Sequence, residues 1–231
     1  MKLRNITEGE PPRRRYDEAC AATHAMDIIG ERWAVPVIRE LSLGPRRFSD
    51  IRRSINGISA NGLTRRLGDL EAVGVVEKAT LPPPASVQVY RLTAWGKETG
   101  PLLQMLGRWA ARSPDHDPTR PFSATSLMLS LRTMFDAEAA GKFAASIGFR
   151  LDGEDFFWTR SKSGDVAVGR GTAAAADLLV TGEPGDVAAL IYGGHGDASE
   201  RVAVKGKAAI WQRFRNCFEL PEKAPARRVT A

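Results

Sequence analysis

The chain is predicted to be α+β and built in two parts, a helical unit closed by a β-hairpin and then a mixed sheet carrying helices. Three observations predict this. Between residues 26 and 72 apolar residues recur at helical spacing, and two β-branched runs then flank a proline-rich tip at residues 81–86. Beyond residue 145, short alternating runs are separated by turn residues and interleaved with helical segments.

The first helical stretch, MDIIGERWAVPVIREL (26–41), reads as two segments broken near Gly30. Pro36 is tolerable there because it lies in the first turn of the second segment, whose stripe Ile38 and Leu41 complete. Gly44-Pro45 makes a turn, Arg46 and Arg47 read as exposed loop cations, and Phe48-Ser49 opens the next helix. Gly57 then turns the chain, and the Ser59 hydroxyl can cap the free N–H groups of a helix starting at about Ala60. At 100° per residue Leu63, Leu67 and Leu70 share one apolar stripe that must be buried. The opposite face therefore carries Asn61, Thr64, Arg65 and Gly68, with Arg66 on its flank. The runs 73–78 and 87–93, joined by LPPPAS, form two strands of a hairpin. Three helices followed by such a hairpin form a winged helix-turn-helix, and residues 94–112 read as one long closing helix.

The residue types on the outer face of the 59–74 helix suit DNA. Arginine can donate two hydrogen bonds to guanine, asparagine can pair with adenine, and threonine offers a hydroxyl and a methyl to base edges. Arg65, Asn61 and Thr64 are the candidate base readers, while Ser59, Arg46, Arg47 and Arg66 are candidates for the phosphate backbone. The alternative for this helix taken alone is an ordinary amphipathic surface helix with a solvated arginine pair. Charge placement agrees with double-stranded DNA as partner. The net charge is +6, with 18 Lys and Arg against 13 Asp and Glu up to residue 115 and 15 against 14 beyond it. Residues 44–66 hold six arginines and one aspartate, so binding is expected to weaken steeply with salt. The Arg13-Arg14-Arg15 arm is either an added DNA contact or a solvated tail.

These blocks resemble the HxlR family of bacterial transcriptional regulators, winged-helix proteins related in architecture to the MarR group. The residues that carry the resemblance are Cys20, DIIGERW (27–33), REL (39–41), GPRRFSDIRR (44–53), GIS (57–59), LTRRLGDLE (63–71), GVVEK (74–78), YRLTAWG (90–96) and LGRWA (106–110). The resemblance implies a homodimer in which the N-terminal helix and the 94–112 helix pack across a two-fold axis, with half-sites about one helical turn apart. Where the family carries a basic residue before the second wing strand, this chain has Ser86, Val87 and Gln88, leaving Gln88 as the polar wing candidate. Some family members use a cysteine at the position of Cys20 to sense oxidants or electrophiles. Cys20 is thus a redox candidate beside the plainer reading of a small residue at a dimer seam.

RSPDHDPTRP (112–121) combines proline and charge without apolar period and reads as a linker. The expected division is residues 1–113 for DNA binding and dimerisation, 114–121 as linker, 122–221 as the second domain and 222–231 as tail. In the second domain, helices are expected at 126–136 and 137–145, and strands at 147–151, 155–160, 166–169 and 176–181. A helix at 183–191, a strand at 202–207 and a closing helix at 208–218 follow. ADLLVTGEPGDVAALIYGG (176–194) and RVAVKGKAAIWQRFRNCF (201–218) resemble the sterol carrier protein 2 (SCP2) domain. The resemblance implies an SCP2-like mixed α/β sandwich around an apolar tunnel. Phe135, Phe156, Phe157, Trp158, Trp211 and Phe214 are candidate lining residues for a small hydrophobic ligand, the alternative being plain core.

Other classes find little support in the sequence. Cys20 and Cys217 are isolated, which indicates neither a disulfide framework nor a zinc site, and no cofactor or metal is expected. His24, His116 and His195 lie far apart, and Gly193-Gly194-His195-Gly196 reads as a surface turn, so no enzyme is expected. Without a long apolar run or a signal-like N-terminus, no membrane association and a cytoplasmic location are expected. The reading is a dimeric, sequence-specific regulator whose second domain senses a small hydrophobic molecule or reinforces dimerisation. Its alternatives are a hydrophobic-ligand carrier with a basic interaction module, or a thiol switch acting through Cys20.

Overall fold

The computed structural model describes residues 16, 18–173, 175–193 and 198–225. Helices α1 (Ala21–Ile29), α2 (Ala34–Leu41), α3 (Phe48–Ser54) and α4 (Ala60–Ala72) come first. The hairpin of β1 (Val76–Thr80) and β2 (Gln88–Leu92), then α5 (Ala94–Lys97) and α6 (Thr99–Ala111), complete this part. One apolar core serves these elements: Val37, Ile38 and Leu41 of α2, Ile51 of α3, and Leu63, Leu67 and Leu70 of α4, closed by Val76 and Leu92 of the hairpin. The leucine stripe of α4 is the part that its period requires to be buried.

The long helix expected over residues 94–112 is two helices. Thr93 caps α5, its hydroxyl accepting from the Gly96 N–H at 2.9 Å. Pro101 has no N–H to give the Lys97 carbonyl, so the chain breaks at Glu98 and α6 restarts with the proline inside its first turn. Gly96 is required at this corner, since a Cβ there would lie 2.0 Å from the Val75 carbonyl oxygen.

The second part opens with α7 (Ala124–Thr133), which starts two residues earlier than its apolar spacing suggests because the Ser123 hydroxyl accepts from the Ser126 N–H. The helix expected over 137–145 is the single turn α8 (Ala137–Ala140), ended by Gly141 at φ +51°, and the chain from Ala145 enters a strand instead. Strands β3 (Ala145–Leu151), β4 (Glu154–Arg160), β5 (Val166–Arg170), β6 (Leu178–Thr181) and β7 (Ala203–Gly206) form a sheet of order β5-β4-β3-β6-β7. β3 and β6 run parallel, and the other neighbours are antiparallel. Between β6 and β7 lie α9 (Pro184–Tyr192) and the short α10 (Ala198–Arg201), and α11 (Ala208–Arg215) follows β7. Alternate sheet residues Ile147, Phe149, Phe156, Trp158, Leu178 and Val180 form a second core with Leu127 and Leu131 of α7, Val187 of α9 and Phe214 of α11.

The two cores meet at a buried carboxylate. Glu40 of α2 is fully buried and accepts from Arg39 Nη2 at 3.1 Å, Arg46 Nη1 at 2.7 Å, and the hydroxyls of Ser123 and Thr125 at 2.7 and 2.8 Å. Arg46 also donates to the Ser54 hydroxyl and to Glu154 at the start of β4. Arg170 of β5 closes the circuit, donating to Glu154 and Thr125 while its guanidinium lies 5.0 Å from the Phe156 ring centroid. A carboxylate taken wholly out of water survives only when such donors replace its hydration. Glu40→Ala is expected to destabilise the protein by about 3–5 kcal/mol, because it leaves arginine charge uncompensated in the junction. Urea unfolding monitored by tryptophan fluorescence measures this loss.

Candidate nucleic-acid interface

Helices α3 and α4 form the helix-turn-helix, and the turn between them is set by Gly57 at φ +80°. At the start of α4 the Ser59 hydroxyl accepts from the Gly62 N–H at 3.0 Å, satisfying one of the free donors of the first turn. With the leucines turned inward, Asn61, Thr64, Arg65 and Gly68 are exposed together. They line a shallow depression with Asp69. A Cβ on Gly68 would meet no heavy atom within 4 Å, so this part of the face is open to an approaching surface. Its chemistry is a set of hydrogen-bonding groups on an exposed helix, of the kind that enters a major groove.

The structure sorts the arginines that the sequence treats alike. Arg47 and Arg65 are exposed. Arg46 is not the exposed loop cation that its neighbourhood suggests. It is 4% exposed, its guanidinium is engaged by Glu40, Ser54 and Glu154, and it faces the second core. Arg66 is likewise drawn inward at 9% exposure. It follows Leu63 by three residues, beside the apolar stripe, so its stem packs inward while Nη1 donates to Asp69 at 3.1 Å and Nη2 to Glu31 at 3.3 Å. Arg52 was not singled out by sequence reasoning, yet it is exposed in the last turn of α3. The density of arginines between residues 44 and 66 was the available signal. Gln88 is exposed at the start of β2, paired in register with Thr80 of β1. Arg13, Arg14 and Arg15, like His195, lie outside the described residues.

Cys20 precedes α1 and is exposed. Hydrogen bonds from the Thr23 side chain, then from backbone groups of Thr23 and Ala22, hold its thiol below the usual thiol range. Cys217 is buried, and that burial pushes its thiol up. The aromatic residues offered as tunnel lining pack on one another. Trp158 lies 5.0 Å from Phe214 and 5.8 Å from Phe135 between ring centroids, Trp211 stacks on Phe214, and Phe156, Trp158 and Phe214 are fully buried. Among the described residues, no group of three His, Cys, Asp or Glu is placed to hold a metal ion, and no helix is long and apolar enough to cross a membrane.

An exposed polar helix on a helix-turn-helix with a following hairpin is the architecture of a DNA-binding regulator. The HxlR-like helix-turn-helix family matches residues 28–118. The HTH-type transcriptional regulator YvaP of Bacillus subtilis, itself uncharacterised, is 35% identical over 86 residues, which are 37% of this chain and 80% of that protein. YodB of the same organism, an HTH-type transcriptional regulator, is 35% identical over 86 residues, covering 77% of its length. An HTH-type regulator of Methanothermobacter thermautotrophicus, also uncharacterised, is 34% identical over 97 residues, which are 42% of this chain and 74% of that protein. The chain belongs to the HxlR-like helix-turn-helix family of transcriptional regulators.

Arg66→Ala is expected to lower stability by about 1–2 kcal/mol through its lost charged hydrogen bonds. It should leave the salt dependence of DNA binding unchanged, because its charge faces Glu31 and Asp69. Paired denaturation and salt-titrated binding curves check both halves of this expectation.

Proposed function

We propose that the protein is a homodimer that reads operator DNA with α4, using Asn61, Thr64 and Arg65 for bases, and Ser59, Arg47 and the wing residue Gln88 for the backbone. The observation that carries this reading is the joint exposure of Asn61, Thr64, Arg65 and Gly68 on the one face of α4 that the leucine stripe leaves outward. Dimerisation is supported by α6, where Leu102, Met105, Leu106 and Trp109 are exposed at i, i+3, i+4 and i+7, a single apolar face on an amphipathic helix. Two copies related by a two-fold axis would present two reading helices to half-sites about one helical turn apart.

We further propose that the second part is SCP2-like, a reading supported by the order β6, α9, α10, β7 and α11. Its rings pack closely enough to serve as core, which favours a structural part for Phe135, Phe156, Trp158, Trp211 and Phe214 over a carrier function. A second reading, thiol sensing, is favoured by one observation: Cys20 is exposed, and hydrogen bonds at the start of α1 hold its thiol below the usual thiol range.

Selection of genomic fragments by the purified protein, followed by footprinting, tests the main reading. Two protected half-sites are expected, and Arg65→Ala should lose about 1–3 kcal/mol of discrimination at one base pair in each. Unchanged sequence preference in that variant would remove Arg65 from the base-reading set. For the thiol reading, Cys20→Ser is expected to bind the same fragments as the parent while losing any release caused by diamide or benzoquinone. Release that persists in the variant would refute it.

A further inference from the structure

A cleft of about 300 Å³ lies where the helix-turn-helix meets the second part. One wall is Trp33 at the N-terminal cap and Arg39 in the last turn of α2, with Arg53 and Ile55 from the end of α3. The other is Pro121, Phe122 and Ser123 on the approach to α7, with Asp152 in the β3–β4 turn. The volume is at the small end for ligand sites.

The walls differ in charge. The first carries two guanidiniums that keep N–H groups beyond those engaged: Arg39 directs Nε and Nη2 to Glu40, and Arg53 directs Nη2 to Asp50 with Glu154 3.8 Å away, out of five N–H each. The second carries the Asp152 carboxyl, pushed up to about 6 by burial, by a hydrogen bond with Glu183 and by the neighbouring charges of Glu183, Glu154 and Glu40. Trp33, Ile55, Pro121 and Phe122 supply flat apolar surface between them. Trp33 adopts backbone that side chains rarely take, at φ +76°, a conformation that costs energy and is found at ligand sites, whereas Asp152 at φ +51° belongs to the two-residue Asp152-Gly153 turn of the β3–β4 hairpin. Trp33 also touches the reading apparatus, since its ring lies 3.7 Å from where a Cβ on Gly57 would sit, in the turn that leads to α4.

Resting on the regulator reading above, we propose that this cleft binds a small aromatic carboxylate with a hydrogen-bond donor across its ring, and that occupancy alters DNA binding through the α3–α4 turn. The carboxylate meets the planar forks of Arg39 and Arg53, the ring lies among Trp33, Ile55 and Phe122, and the donor meets Asp152. Such a ligand bridges the two parts of the chain. It therefore binds most tightly the arrangement in which both walls are at the right spacing, and this differential affinity is what shifts a regulator.

The test is isothermal titration of the full-length protein with 4-hydroxybenzoate, against 4-hydroxybenzyl alcohol and hexanoate, followed by binding of the selected genomic fragments with and without the acid. One molecule of 4-hydroxybenzoate per chain is expected. Tenfold or weaker binding is expected for the alcohol, for hexanoate and for the Arg53→Ala and Phe122→Ala variants, together with a threefold or larger change in DNA affinity for the parent protein. Absence of saturable binding by 4-hydroxybenzoate, or equal affinity in both variants, overturns the site. Ligand binding that leaves DNA affinity unmoved overturns the coupling. Failure of the protein to enrich any genomic fragment overturns the regulator reading, and the titration then judges the cleft alone.

Discussion

The polar junction between the helix-turn-helix part and the second core is organised around one buried negative charge. Glu40 sits inside α2 with no water to hydrate it, so its neighbours must supply donors. Arg39 and Arg46 come from its own unit, and Ser123 and Thr125 come from the start of α7. Because half of the donors belong to each side, the carboxylate is satisfied only when the two cores are docked. Glu154 and Arg170 extend the same circuit into β4 and β5, and Arg46 is held between the two carboxylates. Docking is in this sense a condition of solvation as much as of apolar burial.

Much of the architecture was legible in the sequence because short-range physics decides it. The stripe of Leu63, Leu67 and Leu70 fixes which side of α4 faces out, and Ser59 fixes where it begins. In the second part, strict alternation at Ile147, Phe149 and Leu151 and the glycine and proline punctuation place β3, β6 and α9 within a residue or two. The break at Glu98 follows from Pro101, which has no N–H to give the Lys97 carbonyl, and the shortness of α8 follows from Gly141 at φ +51° and the entry of residues 145–151 into the sheet. Other departures come from tertiary contacts. The fates of Arg46 and Arg66 were not legible, because no local pattern reveals that Glu154, more than a hundred residues away, or Glu31, across the helix-turn-helix, would claim them.

That sorting changes the electrostatics of the proposed DNA face. Of the six arginines between residues 44 and 66, Arg46 and Arg66 are directed into the protein, while Arg47, Arg52, Arg53 and Arg65 remain outward. Composition alone thus overstates the charge offered to phosphates. Positive charge in this region serves two purposes, cohesion and attraction, and burial separates the residues that serve each.

Arg46 is attached twice, by chemically independent means. Its backbone N–H and carbonyl pair with Tyr90 of β2 at 2.9 and 2.8 Å, whereas its side chain reaches Glu40 and Glu154. The anchoring of the wing is therefore indifferent to which amino acid stands at this position, whereas the link from Glu40 to Glu154 through this side chain requires an arginine. In evolutionary terms the two attachments can drift apart. Side-chain changes at a few junction positions can loosen the docking of the second core while the backbone pairing that sets the wing against the helices is untouched.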